Sequence, residues 1–288
     1  MVLSRGKYNI VDLHNLKDRV VCLTLDVEQD YGDLLDESSY QGLGYIPNLV
    51  EFLKKREIPL TCFVQGSLFE THPSEIRQLA TIDTEFELHA YSHSVPRETN
   101  TQLEIEKGQN AYQKFFGETP MGYRSPLGVI SQSDYAILSS RGFRFDSSIF
   151  PSIRPNTFNN LRLPTKPYFL NHFQIFEFPF TVFSSIIRIP ISLSYIKLLG
   201  KPYFYSLRTL PLPKLIIFDF HLHDLFNLNS ANRIPYNKLT PLYRRIFRTI
   251  YCSEKVNGMR ILDRFITMLK SKNYSFLKLL DVYEAVSR

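Results

Sequence analysis

The chain has no tryptophan, only three cysteines among 288 residues, and no stretch of 18 residues that is free of charge. The odd cysteine count, without a CxxC pair, argues against a disulfide scaffold and against a thiolate metal site. The lack of a charge-free stretch argues against a membrane-spanning helix. The N-terminal MVLSRGKYNIVDLHNL also lacks the apolar core of an export signal. We therefore expect a reduced, cytoplasmic protein.

The composition indicates a folded protein without a nucleic-acid partner. Apolar residues make up 44% of the chain and charged residues 22%, which is enough to bury a core. The net charge is +6, but lysine and arginine are scattered in short groups. Such scattering is typical of a solvated surface, and the aromatic residues match no RNA-recognition motif.

Apolar periodicity predicts strands that alternate with helices. Residues 20–25 and 60–64 are apolar runs, as in strands buried on both faces, and residues 215–220 form the clearest predicted strand of the second half. Between the first two runs, apolar residues recur at helical spacing across 46–53. Repeated strand–helix units predict an α/β fold with a mostly parallel sheet, open or closed into a barrel. Without repeats or low-complexity linkers, the sequence predicts a single domain over 1–288.

Residues 153–213 depart from this pattern, because prolines are frequent and apolar content is high. Within them, residues 180–199 are apolar but interrupted by Arg188, Pro190 and Lys197. One interpretation is a hydrophobic, proline-rich insertion that covers the barrel or forms a dimer contact. The other is a membrane-surface patch near a lipid-linked substrate. The pattern leaves both open, and it does not indicate an oligomeric state.

Chemically active side chains follow three of the predicted strands. Asp26 and Glu28 follow the run at 20–25, His89 and His93 follow a short strand predicted around 86–88, and His221 follows the run at 215–220. Functional groups of parallel α/β folds collect at the carboxyl ends of strands. Two histidines four residues apart share a face if the backbone between them is helical. With one carboxylate they can bind a divalent ion and leave a position open for water.

These residues occur in an ordered set of motifs: LTLDVEQD, HAYSH, YRSP, FRFDSSIFP and IIFDFHLHDL. The set resembles the polysaccharide deacetylases, the family-four carbohydrate esterases with a NodB homology domain. It is most similar to a subgroup whose first motif reads Asp-Val-Glu. The resemblance runs from about Val20 to Leu225. It implies a distorted (β/α) barrel of about seven strand–helix units, fewer than the standard eight.

The resemblance implies roles for the residues of the first two motifs. Asp26 matches the general base, and His89 and His93 match the two histidine ligands. In most members the carboxylate ligand directly follows the base, but here that position is Val27. Glu28 is therefore the predicted ligand, because residues i and i+2 can point to the same side of a strand. Asp26 itself remains the alternative ligand.

The later motifs imply the remaining catalytic groups. Arg124 matches the arginine that holds the base carboxylate, and Asp146 matches the acid that orients the catalytic histidine. His221 matches the general acid, with His223 as its rival. In family patterns a tryptophan near the acid that Asp146 matches often forms a wall of the acetyl pocket. Because this chain has no tryptophan, the resemblance implies that Phe150 or another aromatic forms that wall.

Two further carboxylates keep open roles at this stage. Asp224 is either an orienting group for the catalytic histidine or a helix cap. Asp30 is expected to be solvated in its loop or to cap a helix.

The resemblance implies metal-dependent hydrolysis of an N-acetyl group on an amino sugar. Zinc is the expected ion, although cobalt or manganese fits the same ligands. The expected partner is an N-acetylated poly- or oligosaccharide, or a nucleotide- or lipid-linked precursor at the inner membrane face. One alternative is an allantoinase-like hydrolase of cyclic amides or imides on the same fold. The other is a glycan-binding protein without catalysis.

Overall fold

The computed structural model describes residues 8–94, 99–155, 157–252 and 257–287. The other residues of the predicted 1–288 domain lie outside the described residues. They include residues 1–7, the first part of the N-terminal stretch that lacks the apolar core of an export signal. Within the described ranges, every helix is too short or too polar to span a bilayer.

Twelve strands occur in the described residues, and several have only two or three residues. They are β1 (Tyr8–Ile10), β2 (Arg19–Val27), β3 (Leu60–Val64), β4 (Thr84–Leu88), β5 (Gly122–Tyr123), β6 (Phe145–Asp146), β7 (Ile153–Arg154), β8 (Phe158–Asn159), β9 (Tyr168–Leu170), β10 (Ile175–Glu177), β11 (Leu215–His221) and β12 (Tyr274–Phe276).

Ten α-helices in the same ranges connect or cover these strands. They are α1 (Ile46–Lys54), α2 (Leu68–Thr71), α3 (Pro73–Leu79), α4 (Thr101–Phe116), α5 (Gln132–Ser140), α6 (Leu193–Thr209), α7 (Leu222–Leu225), α8 (Pro241–Tyr251), α9 (Gly258–Ser271) and α10 (Leu279–Val286). Local signals set several boundaries: α4 ends at Gly117 with φ 81°, and α5 begins with the capping box of Ser131 and Asp134.

The main sheet confirms the predicted α/β fold. Its central strands are parallel and run in the order β10-β6-β5-β4-β3-β2-β11, and β12 adds to β2. Antiparallel β9 and β1 extend it beyond β10. No ladder joins β10 to β11 within the described ranges. Instead, Thr181 and Ser192 bridge that gap, because Ile217 N donates to Thr181 Oγ1 (2.8 Å) and Ser192 pairs with Asp219.

Strand β2 shows how alternation builds both the core and the site. Its residues 21, 23, 25 and 27 pack against the covering helices. Val20 and Cys22 point the other way and pack with Phe63 and Ile217. Side chains alternate between the faces of a strand, so Asp26 and then Glu28 continue this second face beyond the apolar residues.

Residues 153–213, the predicted insertion, largely belong to the domain itself. They supply β9 and β10 to the main sheet, and α6 packs its buried Leu193, Ile196 and Leu207 into the main core. The strands have three residues each, and α6 is interrupted at Gly200 (φ 65°). Elements this short or interrupted have no readable period, which is why the sequence pattern is lost there.

Candidate active site

The strand register brings the predicted site residues to one end of the sheet. His221 lies opposite Asp26, and Leu88 lies opposite both Val64 and Tyr123. The residues directly after Leu88 and Tyr123 are His89 and Arg124, so they also start at this edge.

Glu28, His89 and His93 are buried and converge on one point. Glu28 Oε2 lies 3.0 Å from His89 Nε2 and 2.5 Å from His93 Nε2. The expected helical turn between the histidines is absent, because Ala90 and His93 have φ of 53° and 58°. Left-handed backbone in this loop, not a helix face, turns the second imidazole back toward Glu28.

The hydrogen bonds around this triad suit a divalent cation. His89 Nδ1 lies 2.8 Å from the carbonyl oxygen of Arg124, which only accepts, so Nδ1 carries a proton and Nε2 is the nitrogen that would bind a metal ion. Burial alone would raise the pKa of Glu28, but His93, His89 and His221 hold it well below its usual value. Two imidazole nitrogens and one ionised carboxylate form a donor set that fits zinc.

Asp26 is held by a fully buried arginine. Arg124 Nη1 donates to Asp26 Oδ1 (2.6 Å) and Asp219 Oδ1 (3.0 Å). Nη2 donates to Thr24 Oγ1 (3.0 Å) and Ser147 Oγ (3.0 Å), and Nε donates to Ser147 O (2.9 Å). All five N–H groups of the guanidinium are therefore used. Asp26 groups with Asp219 and His221, whereas the histidine pair groups with Glu28, so the geometry favours Glu28 as the ligand.

Asp219 is a site residue that the sequence reasoning missed. Burial raises its pKa to about 7, and repulsion from Asp26 adds to the shift, since one guanidinium serves both carboxylates. The available signal was its position two residues before His221, which places both side chains on the same face of β11.

The surroundings of the two rival histidines differ in a way that separates their roles. His221 Nδ1 lies 3.0 Å from Asp224 Oδ2, and its Nε2 lies 3.7 Å from both Asp26 Oδ2 and Glu28 Oε1. Burial would lower the pKa of His221, but Asp219, Asp224 and Glu28 raise it well above its usual value.

His223, in contrast, accepts a hydrogen bond at Nδ1 from Tyr31 N (3.1 Å). Burial and the neighbouring His221 lower the pKa of His223 to about 3. An imidazole that accepts at one nitrogen and has this pKa is neutral near pH 7. The geometry therefore favours His221 as the proton donor.

The orienting carboxylate of His221 is Asp224, which corrects the role expected for Asp146. Asp146 instead accepts from Ser148 N (3.0 Å) and Ser148 Oγ (2.7 Å) and lies beside Glu177 of β10. The preceding Phe145 packs on the same face of the sheet as Val20 and Cys22. Alternation along β6 therefore turns Asp146 to the opposite face, away from His221.

Asp224 combines both roles that the sequence left open. Its Oδ2 also accepts from His221 N (3.1 Å), which caps α7, and its Oδ1 accepts from Ser194 Oγ (2.7 Å). Burial alone would raise the pKa of Asp224, but the hydrogen bond and the charge of His221, together with smaller contributions from neighbouring groups, hold it well below its usual value.

Phe150 lies in an aromatic stack beside Arg124. Its ring is stacked on that of Phe180, with 3.6 Å between the ring centroids, and the Phe180 centroid lies 4.4 Å from the guanidinium carbon of Arg124.

Asp30 is buried and caps a helix, so it is not solvated in its loop. Its carboxylate accepts from Gln41 N (3.0 Å) and Gly42 N (2.9 Å) in the first turn of the 3-10 helix Gln41–Tyr45.

Comparisons with known proteins identify similar sequences and structures. The family model described as Polysaccharide deacetylase matches residues 14–145. A curated peptidoglycan deacetylase-like protein from Gibberella zeae is 31% identical over 97 residues, which are 31% of this chain and 28% of the relative. The match thus spans little more than a quarter of that relative's length.

Solved structures share the fold at low sequence identity. A family 4 carbohydrate esterase from Bacillus anthracis aligns with a TM-score of 0.52 and 15% identity over 96% of this chain and 86% of that one. A family 4 pseudoenzyme from the same organism aligns with a TM-score of 0.52 and 14% identity over 93% and 66%. These similarities establish the fold, whereas activity must be argued from the side chains.

Proposed function

We propose that this chain, whose residues 14–145 match the polysaccharide deacetylase family model, is a metal-dependent hydrolase that removes N-acetyl groups from amino sugars of a glycan. The observation that carries the proposal is the convergence of a cation-binding triad with a carboxylate and an imidazole beside it. Asp26 and His221 lie next to Glu28, His89 and His93, all at the same end of the sheet.

The triad would hold a divalent ion, which supplies Lewis-acid polarisation of the acetamide carbonyl and lowers the pKa of water in the site. Arg124 occupies Asp26 Oδ1, which leaves Oδ2 to accept the proton of the attacking water. The same ion pair sets the direction of the Asp26 carboxylate.

His221 completes the reaction by giving a proton to the departing amine. Asp224 binds its Nδ1, so Nε2 is the nitrogen that faces the reacting groups. Its raised pKa keeps it protonated near pH 7, ready to act as an acid. The products are acetate and a glycan with a free amine. Because His221 supplies the proton, the amide nitrogen does not have to leave as an anion.

Three functional alternatives are distinguished by one set of assays. Acetate release is measured from N-acetylated amino-sugar oligomers with the wild type, Asp26→Asn and His93→Gln. We expect metal-dependent release by the wild type and losses of at least about a hundredfold in both variants. His172→Gln, a change of an exposed histidine, is the control and should retain activity.

Turnover of allantoin without added metal would replace the proposal with cyclic amide hydrolysis. Glycan binding without acetate release, across zinc, cobalt and manganese, would show a binding protein without catalysis. The wild-type chain retains the base, the ligand triad, the arginine and the acid in contact, which is the reason to expect catalysis.

A further inference from the structure

Residues 147–218 have an unusual charge distribution. This quarter of the chain contains one acidic residue, Glu177, and that carboxyl group is fully buried. It contains eight lysines and arginines, of which only Lys197 is buried. The charged groups that this segment exposes are therefore all basic.

The same segment holds seven of the eleven large apolar side chains that are exposed in the described residues. They are Ile153, Leu161, Ile186, Ile187, Leu199, Tyr205 and Leu210. Basic and exposed apolar groups thus occur together in one quarter of the sequence, which is the composition of surfaces that bind anionic lipid.

The most exposed of these side chains is presented by a rigid hairpin, residues 182–190, which we call the prong. Val182 pairs with Pro190, and Phe183 N donates to Ile189 O (2.8 Å). At the tip, Ser184 Oγ accepts from Ile187 N (2.8 Å) and from Ile186 N. Ile186 is 90% exposed and Ile187 is 51% exposed. An ordered turn therefore displays two aliphatic side chains to solvent.

Hydrogen bonds connect the prong to a neighbouring strip of apolar and basic side chains within residues 151–163. Arg188 Nη1 donates to Pro151 O (3.2 Å) and Leu163 O (2.9 Å), which flank the β7–β8 hairpin. That hairpin exposes Ile153, and Leu161 and Arg162 follow it on the surface. The prong and this strip together form one candidate contact surface.

We propose that this surface docks the protein on an anionic lipid bilayer, with Ile186 and Ile187 inserted among the acyl chains and the surrounding arginines against the headgroups. Lipid is the favoured occupant because an aliphatic tip gains free energy by leaving water for acyl chains, which a polysaccharide does not offer. Residues 147–218 expose no carboxylate, so this segment does not repel the headgroups.

The position of the prong connects docking to the candidate active site. Phe180, two residues before the prong, contacts the guanidinium of Arg124. The chain then leaves the sheet through the gap between β10 and β11, where Thr181 meets Ile217. A bilayer bound at the prong would therefore lie beside the site, where a glycan attached to lipid would be presented.

The test is co-sedimentation of the full chain with vesicles of phosphatidylcholine alone or with phosphatidylglycerol. We expect binding to the anionic vesicles that weakens with salt, and a loss of roughly ten- to a hundredfold in Ile186→Ser/Ile187→Ser. Leu103→Ser, a 45% exposed leucine on α4, is the matched control and should bind like the wild type. Since the changed side chains are exposed, thermal unfolding should be the same in all proteins.

Unchanged binding in the double variant would overturn the proposal, as would equal binding to the neutral vesicles. Self-association through Ile186, or binding to an anionic polysaccharide but not to vesicles, would assign the surface to another occupant. None of these readouts depends on catalysis, so the proposed docking can fail while the proposed activity stands.

Discussion

Replacing Asp224 by asparagine should move the alkaline limb of activity to lower pH and slow the reaction. Asp224 Oδ2 accepts the Nδ1–H of His221 at 3.0 Å and is fully buried. The acid form of His221 is lost as the pH rises through its pKa, and the carboxylate helps to hold that pKa above its usual value. An amide has no charge to stabilise the imidazolium, so the pKa of His221 falls in the variant.

The magnitude follows from the single interaction removed. A hydrogen bond to a charged group contributes about 1.5–3 kcal/mol, which corresponds to a loss of roughly 10- to 150-fold in kcat/KM. The assay is the pH profile of kcat/KM for acetate release, normalised to the folded fraction. Asparagine keeps the size of the side chain and one of its two oxygen acceptors, which limits the structural damage.

Asp146→Asn is the matched comparison, because it makes the same chemical change in the carboxylate that sequence similarity had favoured. Asp146 bonds to Ser148 and lies beside Glu177, so its alkaline limb should coincide with that of the wild type. If the alkaline limb moved to lower pH in Asp146→Asn but not in Asp224→Asn, Asp146 rather than Asp224 would be the carboxylate that raises the pKa of His221.

Three further predictions concern stability and metal. Glu28→Gln should abolish stoichiometric metal in the purified protein, as measured by atomic absorption, because the triad loses its charged ligand; full metal content would reject Glu28 as a ligand. His223→Leu leaves Tyr31 N without its acceptor and should lower the free energy of unfolding by about 1–3 kcal/mol in urea, while kcat per folded molecule is retained. A collapse of kcat at full stability would instead favour His223 as the acid. Burial raises the pKa of Glu85 from 4.5 to about 7, so the free energy of unfolding falls as the pH rises across that interval. Glu85→Gln should remove this fall. By urea denaturation, the free energy of unfolding of the variant should exceed that of the wild type by up to about 3 kcal/mol at pH 8, but not at pH 4. Equal pH dependence in the two proteins would contradict a neutral Glu85.

The long central strands could be predicted because their runs are almost entirely apolar. The runs at 60–64 and 215–220 correspond to β3 and β11, and the helical spacing at 46–53 corresponds to α1. Within 153–213 the sequence predicts one strand, at 174–178, which corresponds to β10, whereas the other short strands and the helix interrupted at Gly200 leave no period. The place of β9 and β10 in the sheet depends on pairing with β6, which lies outside the segment.

The side chains that stand at strand ends can be identified from the sequence, because alternation and apolar runs are properties of a local stretch of chain. Asp26, Glu28 and His221 could be placed on a common edge in this way. Which of these side chains touch depends on the tertiary structure. Asp224 rather than Asp146 contacts His221, Asp219 shares Arg124 with Asp26, and His223 accepts from a backbone N–H. These outcomes depend on which face each strand turns inward and on loops that bend through left-handed backbone, and both are settled by packing between distant parts of the chain.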